Sequence, residues 1–247
     1  MNPFSIEGKR ILVTGASSGI GRAIAITCAD MGAKLFITAR NPERLSETFA
    51  LLEGTGHKQF CADLTDGEEL QSLISHLPTL DGIVSSAGII RQIVVQAIEQ
   101  EDVNETIQIN AIAPIHLARM LVQKKKLTRD ASIVFISSIN GNNCAFIGSS
   151  IYAASKSALA GFMKSLALEL APRSIRVNCI NPGMIETGLM KGSLLGQQEF
   201  ESDVAKYPLK RYGRPEEVAY AAVYLLSYAS RWITGSSLVI DGGYTLM

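Results

Sequence analysis

Apolar residues in this chain occur either in short unbroken runs or in longer stretches where they recur every three or four positions. Runs of the first kind are Arg10–Thr14, Lys34–Ala39, Gln59–Ala62, Gly82–Ser85, Ser132–Ser137, Arg176–Ile180 and Leu238–Ile240. Continuous rather than alternating hydrophobicity predicts strands covered on both faces. Helical periodicity predicts Gly19–Met31, Pro42–Leu52, Gly67–His76, Glu101–Gln123, Ser150–Ala171 and Pro215–Tyr228. Gly32 suits the end of the first helix, and Pro215 suits the first turn of the last. Strand alternating with helix calls for right-handed crossovers. The expected fold is therefore α/β, a doubly wound parallel sheet of about seven strands with helices on both faces. No linker or repeat divides residues 1–247, so one domain is expected. The rhythm breaks at Gly188–Tyr207, glycine-rich and then polar, where the chain suits a substrate lid.

Composition narrows the function. Hydrophobic residues make up 47% and charged residues 19%, as in a globular protein. Basic and acidic residues number 23 each, so the formal charge is zero and a nucleic-acid partner is disfavoured. No apolar run approaches a membrane span, and the amino terminus lacks a signal-type core. Lys124-Lys125-Lys126 reads as a solvated helix end. Cys28, Cys61, Cys144 and Cys179, like His57, His76 and His116, are too scattered for a metal site or an obvious disulfide framework. Buried thiols in a reducing cytoplasm are the expected state.

Three places carry chemistry. The first, Thr14-Gly15-Ala16-Ser17-Ser18-Gly19-Ile20-Gly21, lies between a strand and a helix. Glycines there allow a tight turn, and the helix N-terminus favours a pyrophosphate. That placement makes the sheet a Rossmann-type, dinucleotide-binding one, with Gly15, Ser17, Ser18, Gly19 and Ile20 as candidate contacts. The second strand ends Thr38-Ala39-Arg40-Asn41, without the acid that would hold a ribose 2′-hydroxyl. Arg40 can instead pair with a 2′-phosphate, which favours NADP(H) over NAD(H). Asp63, in Ala62-Asp63-Leu64, can accept from an adenine amino group or cap a helix. Ser85-Ser86-Ala87-Gly88 offers small residues for close backbone approach.

The second place is Tyr152-Ala153-Ala154-Ser155-Lys156, inside the predicted helix Ser150–Ala171. Positions i and i+4 share a helix face, so an ammonium can stand near the phenol and lower its pKa from about 10. Reaching neutrality would take about 4 kcal/mol, more than one partner readily supplies. Leu159, Phe162, Met163, Leu166 and Leu170 form an apolar stripe that anchors this helix. The third place is Ser137-Ser138, at a strand's carboxyl end, where ligands sit in such sheets.

With these residues in order, followed by Asn181-Pro182-Gly183, the chain resembles the short-chain dehydrogenase/reductase family over nearly its whole length. Within it, the chain is most similar to bacterial 3-oxoacyl-acyl-carrier-protein reductases. The resemblance implies that Tyr152 is the general acid/base and that Ser138 polarises the substrate oxygen. It implies that Lys156 binds the nicotinamide ribose and that Asn110 anchors a relay water. Leu64, Ala87, Gly88, Pro182, Gly183, Ile185 and Thr187 join the cofactor contacts. Two departures stand out: Ser85-Ser86 replaces the family's frequent paired asparagines, and the stretch from Ser138 to Tyr152 is about one residue longer, making Ser137 the alternative serine. The implied activity is hydride transfer between a nicotinamide and a small-molecule carbonyl or secondary alcohol, free or carrier-protein-bound. Arg129 and Arg173 sit where an acidic carrier can dock in such enzymes. The tail Ile233–Gly243 implies a homotetramer, and the cytoplasm is the expected location. Sugar, polyol or steroid substrates, or a non-catalytic dinucleotide-binding regulator, remain alternatives.

Overall fold

The computed structural model describes residues 2–187 and 197–247. Strands β1 (Arg10–Thr14), β2 (Lys34–Ala39), β3 (Lys58–Cys61), β4 (Leu80–Ser85), β5 (Leu127–Ile136), β6 (Arg176–Pro182) and β7 (Ser237–Ile240) form one sheet in the order β3-β2-β1-β4-β5-β6-β7. Every pairing is parallel. The helices are α1 (Gly19–Asp30), α2 (Pro42–Phe49), α3 (Gly67–His76), α4 (Gln100–Ile107), α5 (Ala113–Gln123), α6 (Ser150–Leu170), α7 (Gln197–Val204) and α8 (Pro215–Leu226). Strand order reverses between β1 and β4, which opens a crevice at the carboxyl ends of the strands.

Alternate strand positions serve opposite faces. Ile11, Val13, Leu35, Ile37, Val134 and Ile136 pack with Ile24 of α1 and Val218 of α8. Leu12, Phe36, Ile133 and Phe135 pack with Leu73 of α3, Leu117 of α5 and Met163 of α6. Both faces are dry, so successive residues must all be apolar, and the unbroken runs follow.

The structure departs from expectation in four respects. The helix expected over Glu101–Gln123 is interrupted by a π turn at Gln108–Ile112. Pro114 has no N–H to give the Asn110 carbonyl four residues back, and its ring would press on that carbonyl. The ladder slips, and the Ala113 N–H reaches Gln108 O, five residues back. Second, β5 starts at Leu127 rather than Ser132, because polar Thr128-Arg129-Asp130 hides its first half from an apolar-run reading. Third, the thiols of Cys28 and Cys179 are buried, but Cys61 is exposed and Cys144 half-buried. Fourth, of the lid expected at Gly188–Tyr207, residues 188–196 lie outside the described residues, and the remainder contains α7.

Candidate active site

Helix α6 brings the central pair into the crevice. Its buried stripe includes Ile151, Ser155, Lys156, Leu159, Met163, Leu166 and Leu170. Phe162 adds an edge-to-face contact with Phe135 of β5, with ring centroids 6.1 Å apart. Lys156 is only 5% exposed. Its Nζ donates to Ile136 O at 2.9 Å and lies 5.8 Å from the Tyr152 ring centroid. Burial pulls the ammonium pKa down to about 8. The phenol moves the other way: burial raises it above its ordinary value, and a hydrogen bond with Ser138 brings it part of the way back. The acidification expected from Lys156 is therefore not seen in the protein itself, where the ammonium is engaged by Ile136.

The two serines are told apart by their partners. Ser137 Oγ donates to Lys156 O at 3.0 Å and accepts from Asn142 Nδ2 at 3.1 Å, so it locks the loop to α6. Ser138 Oγ accepts the Asn140 N–H at 3.1 Å and is the one that bonds the phenol. The loop between them and Tyr152 passes tightly over α6. A Cβ at Gly141, where φ is 87°, would stand 2.4 Å from Ala153 O.

Asn110 lies in the π turn, fully buried. Its Oδ1 accepts from Ile89 N at 2.8 Å, and its Nδ2 donates to Ile89 O at 2.9 Å and Ser155 Oγ at 3.1 Å. Ser155 in turn donates to Tyr152 O at 2.7 Å, joining Asn110 to α6. Sequence reading did not single out Ser155. Its place three residues after Tyr152, on the same helix face, was the available signal.

The glycine turn closes against the same centre. A Cβ on Gly15 would approach Ala87 Cα to 2.8 Å, and one on Gly21 would approach Gly15 O to 2.3 Å. Thr14 Oγ1 accepts from both Ser86 and Ala87 N–H groups, which fixes the end of β4 despite the missing asparagines. Ser18 begins α1 without a side-chain cap, leaving the helix's first N–H groups to an anion. Thr187 lies against Gly19, and a Cβ on Gly88 would be 3.3 Å from Lys156 Nζ. Ile185 is buried and bridges to Gly213, and Pro182 O accepts from Ile139 N at 3.1 Å. A Cβ on Gly183 would sit 3.0 Å from Asp241.

At the outer end, Arg40 and Asp63 form an ion pair at 3.7 Å, with the arginine side chain 55% exposed. Asp63 does not cap α3; Asp66 does, accepting from Glu68 and Glu69 N–H groups. Burial raises the Asp63 pKa, but the Thr65 N–H and hydroxyl, aided by Arg40, more than reverse this. Arg129 and Arg173 lie elsewhere. Arg129 is near the start of β5 and Arg173 donates to Leu127 O at 2.7 Å. At about 3.3 Å per residue, most of the length of β5 separates them from Ser138.

Residues 15–245 match the protein-family model described as "Enoyl-(Acyl carrier protein) reductase". A curated relative from Rickettsia prowazekii, 3-oxoacyl-[acyl-carrier-protein] reductase FabG, is 37% identical over 244 residues, covering 99% of this chain and all of its own. The chain belongs to the short-chain dehydrogenase/reductase family. It is accordingly a dinucleotide-dependent oxidoreductase. Solved structures of this family superpose over the full length of both chains. A putative gluconate dehydrogenase from Agrobacterium tumefaciens matches with a TM-score of 0.92 at 26% identity. A putative 2-deoxy-D-gluconate 3-dehydrogenase from the same organism, solved with bound NADP, gives 0.90 at 30%. Among the described residues, no helix is long and apolar enough to cross a membrane.

Proposed function

We propose that this chain is an NADP(H)-preferring reductase of 3-oxoacyl thioesters, with Tyr152 as proton donor. The carrying observation is the Tyr152 phenol, hydrogen-bonded to Ser138 above the buried Lys156, at the strand ends beside the glycine turn.

The residues fit a dinucleotide. Gly15 and Gly21 let the turn close tightly, against Ala87 and on itself, and Ser17, Ser18, Gly19 and Ile20 lie around uncapped N–H groups that suit a pyrophosphate. Asp63 and Leu64 would take the adenine, and Arg40 a 2′-phosphate. Arg40 is exposed, and its contact with Asp63 is long enough to yield to a doubly charged group. Ala87, Gly88, Pro182, Gly183, Ile185 and Thr187 would line the nicotinamide half. The relative's printed activity and the NADP in a 30% identical structure support this reading.

When bound, the reduced cofactor supplies the hydride for the carbonyl carbon. Tyr152 gives its proton to the oxygen. Its raised pKa keeps the phenol protonated at neutral pH. The transfer is still downhill, because an alkoxide approaches hydroxide in basicity and is a far stronger base than a phenolate. Ser138 accepts the Asn140 N–H, and its own proton, shared with the phenol here, would turn to the substrate oxygen. Lys156 would hold the nicotinamide ribose, and with a pKa of about 8 its proton is available to recharge Tyr152. Asn110 would hold a relay water there, with its amide nitrogen committed to Ile89 and Ser155.

The mouth favours an acyl chain. Ile90, Val94 and Val95 follow β4, Phe146 and Ile147 follow β5, and all are exposed. Ile93 N donates to Gly148 O at 2.6 Å, so the two loops form one apolar rim. The gluconate-type structural relatives favour a second reading, a sugar-acid dehydrogenase, which would have to accept this rim. A carrier-bound substrate remains part of the proposal, with Arg129 and Arg173 as candidate contacts for an acidic carrier. We place the enzyme in the cytoplasm as a homotetramer. The open edge at β7 supports association: Leu238 is partly exposed there, and Trp232, in the turn before β7, is fully exposed. The test is NADPH and NADH consumption with 3-oxoacyl thioesters, 2-enoyl thioesters and sugar ketoacids in parallel. Turnover confined to sugar ketoacids or enoyl thioesters would overturn the substrate assignment.

A further inference from the structure

A row of three rings joins the two loops that flank Tyr152. Phe146 lies in the loop between Ser138 and Tyr152, and its ring centroid is 5.7 Å from that of Tyr244, in the C-terminal turn. Tyr244 lies 4.8 Å from Tyr207, whose hydroxyl is hydrogen-bonded to the Met184 backbone. Met184 belongs to the segment after β6 assigned above to the nicotinamide. The C-terminal turn thus reaches both walls of the crevice through a single side chain.

Both ends of this bridge are uneven in a telling way. Tyr207 is 3% exposed and is fixed further by an edge-to-face contact with Tyr212 at 5.3 Å. Phe146 is 39% exposed and belongs to neither core cluster. Among the described residues it meets no ring but Tyr244. The turn beneath Tyr244 is rigid. The Asp241 carboxylate accepts from Gly243 N, Thr245 N and Thr245 Oγ1 at 2.7 to 2.9 Å, and Leu209 N donates to Gly242 O. A fixed tyrosine therefore supplies the ring contact of a phenylalanine whose carbonyl is tied into the catalytic loop by Ser149 N and Oγ.

We propose that Tyr244 is a positioning residue for substrate binding. By standing between Phe146 and Tyr207 it sets the separation between the catalytic loop and the segment after β6, and with it the size of substrate that reaches Tyr152. The inference rests on the placement of the active site given above.

Tyr244→Ala, Tyr244→Leu and Tyr244→Phe test it, the leucine variant guarding against simple loss of the fold. Amide hydrogen exchange of residues 140–149 in the protein alone is the first readout. Exchange is expected to be about tenfold faster in the alanine and leucine variants and unchanged in the phenylalanine variant. Tenfold corresponds to about 1.4 kcal/mol, the scale of one aromatic pair. With short- and long-chain 3-oxoacyl thioesters, the loss is expected in KM, greater for the long chain, with kcat little altered. Wild-type exchange in both the alanine and leucine variants overturns the proposal, as does a uniform fall in kcat without a KM change. If the wild type reduces no thioester, the substrate reading fails while the exchange result still decides the role of Tyr244.

Discussion

Replacing Lys156 with methionine is expected to make the cofactor-free protein relatively more stable at neutral pH than at alkaline pH. The ammonium is buried, and its pKa falls from 10.5 to about 8 on folding. At 1.36 kcal/mol per unit, keeping it charged costs about 3 kcal/mol below pH 8. Methionine removes that cost but leaves the Ile136 carbonyl without its donor, a loss of about 1 to 3 kcal/mol. The net gain at pH 7 is then about 0 to 2 kcal/mol. The pH profile is the sharper signal. Below pH 8 both folded and unfolded chains carry the proton, and above about 10.5 neither does. Between these values the unfolded chain binds more protons, so wild-type stability rises with pH. The variant lacks this gain. Its stability relative to wild type is expected to fall by about 2 kcal/mol from pH 7 to pH 9.5, or about 4 to 8 °C in Tm for a chain of this size. Urea denaturation of both proteins at these pH values measures the difference, and other titrating groups cancel. A difference that does not change with pH would mean that Lys156 titrates as a solvated lysine, and the buried-ammonium account would be wrong.

Other substitutions address separate parts of the site. Arg40→Ala is expected to raise the KM for NADPH about 10- to 100-fold, the scale of a charged hydrogen bond, with NADH little affected. Equal effects on the two cofactors would remove Arg40 from the 2′-phosphate. Ser138→Ala is expected to lower kcat about 10²- to 10³-fold, whereas Ser137→Ala leaves kcat within a few-fold and lowers Tm by about 2 to 4 °C through its lost bonds to Lys156 O and Asn142. The opposite pattern would exchange their roles. Gly15→Ala, whose Cβ would meet Ala87, is expected to abolish NADPH binding in a fluorescence titration; affinity near that of wild type would refute the cradle.

Most of the fold was legible because dry faces on both sides of the sheet force unbroken apolar runs, as at Arg10–Thr14 and Lys34–Ala39. The same rule fails at the start of β5, where Thr128 is satisfied by Leu80 O and Asp81 Oδ1 rather than by apolar packing. The π turn was foreshadowed by Pro114 but masked by a periodicity that continues across it. Within the site, helical spacing put Tyr152 and Lys156 together, yet spacing carries no information about burial. The ammonium's turn toward Ile136 and the raised phenol pKa arise from tertiary packing. The division of labour between Ser137 and Ser138 depends on Asn140 and Asn142, which only the folded loop brings to them. Arg40 and Asp63, assigned separately, meet because β2 and β3 are neighbours in the sheet.

Single-turnover reduction of a 3-oxoacyl thioester by the Tyr152→Phe variant, preloaded with NADPH, bears most directly on the proposed chemistry. The substitution removes only the hydroxyl, so NADPH affinity is expected to stay within a few-fold of wild type. The rate of NADPH oxidation is expected to fall by about 10²- to 10⁴-fold, the contribution of a positioned general acid. Reduction at nearly the wild-type rate, with the cofactor bound, would contradict the assignment of Tyr152 as the proton donor.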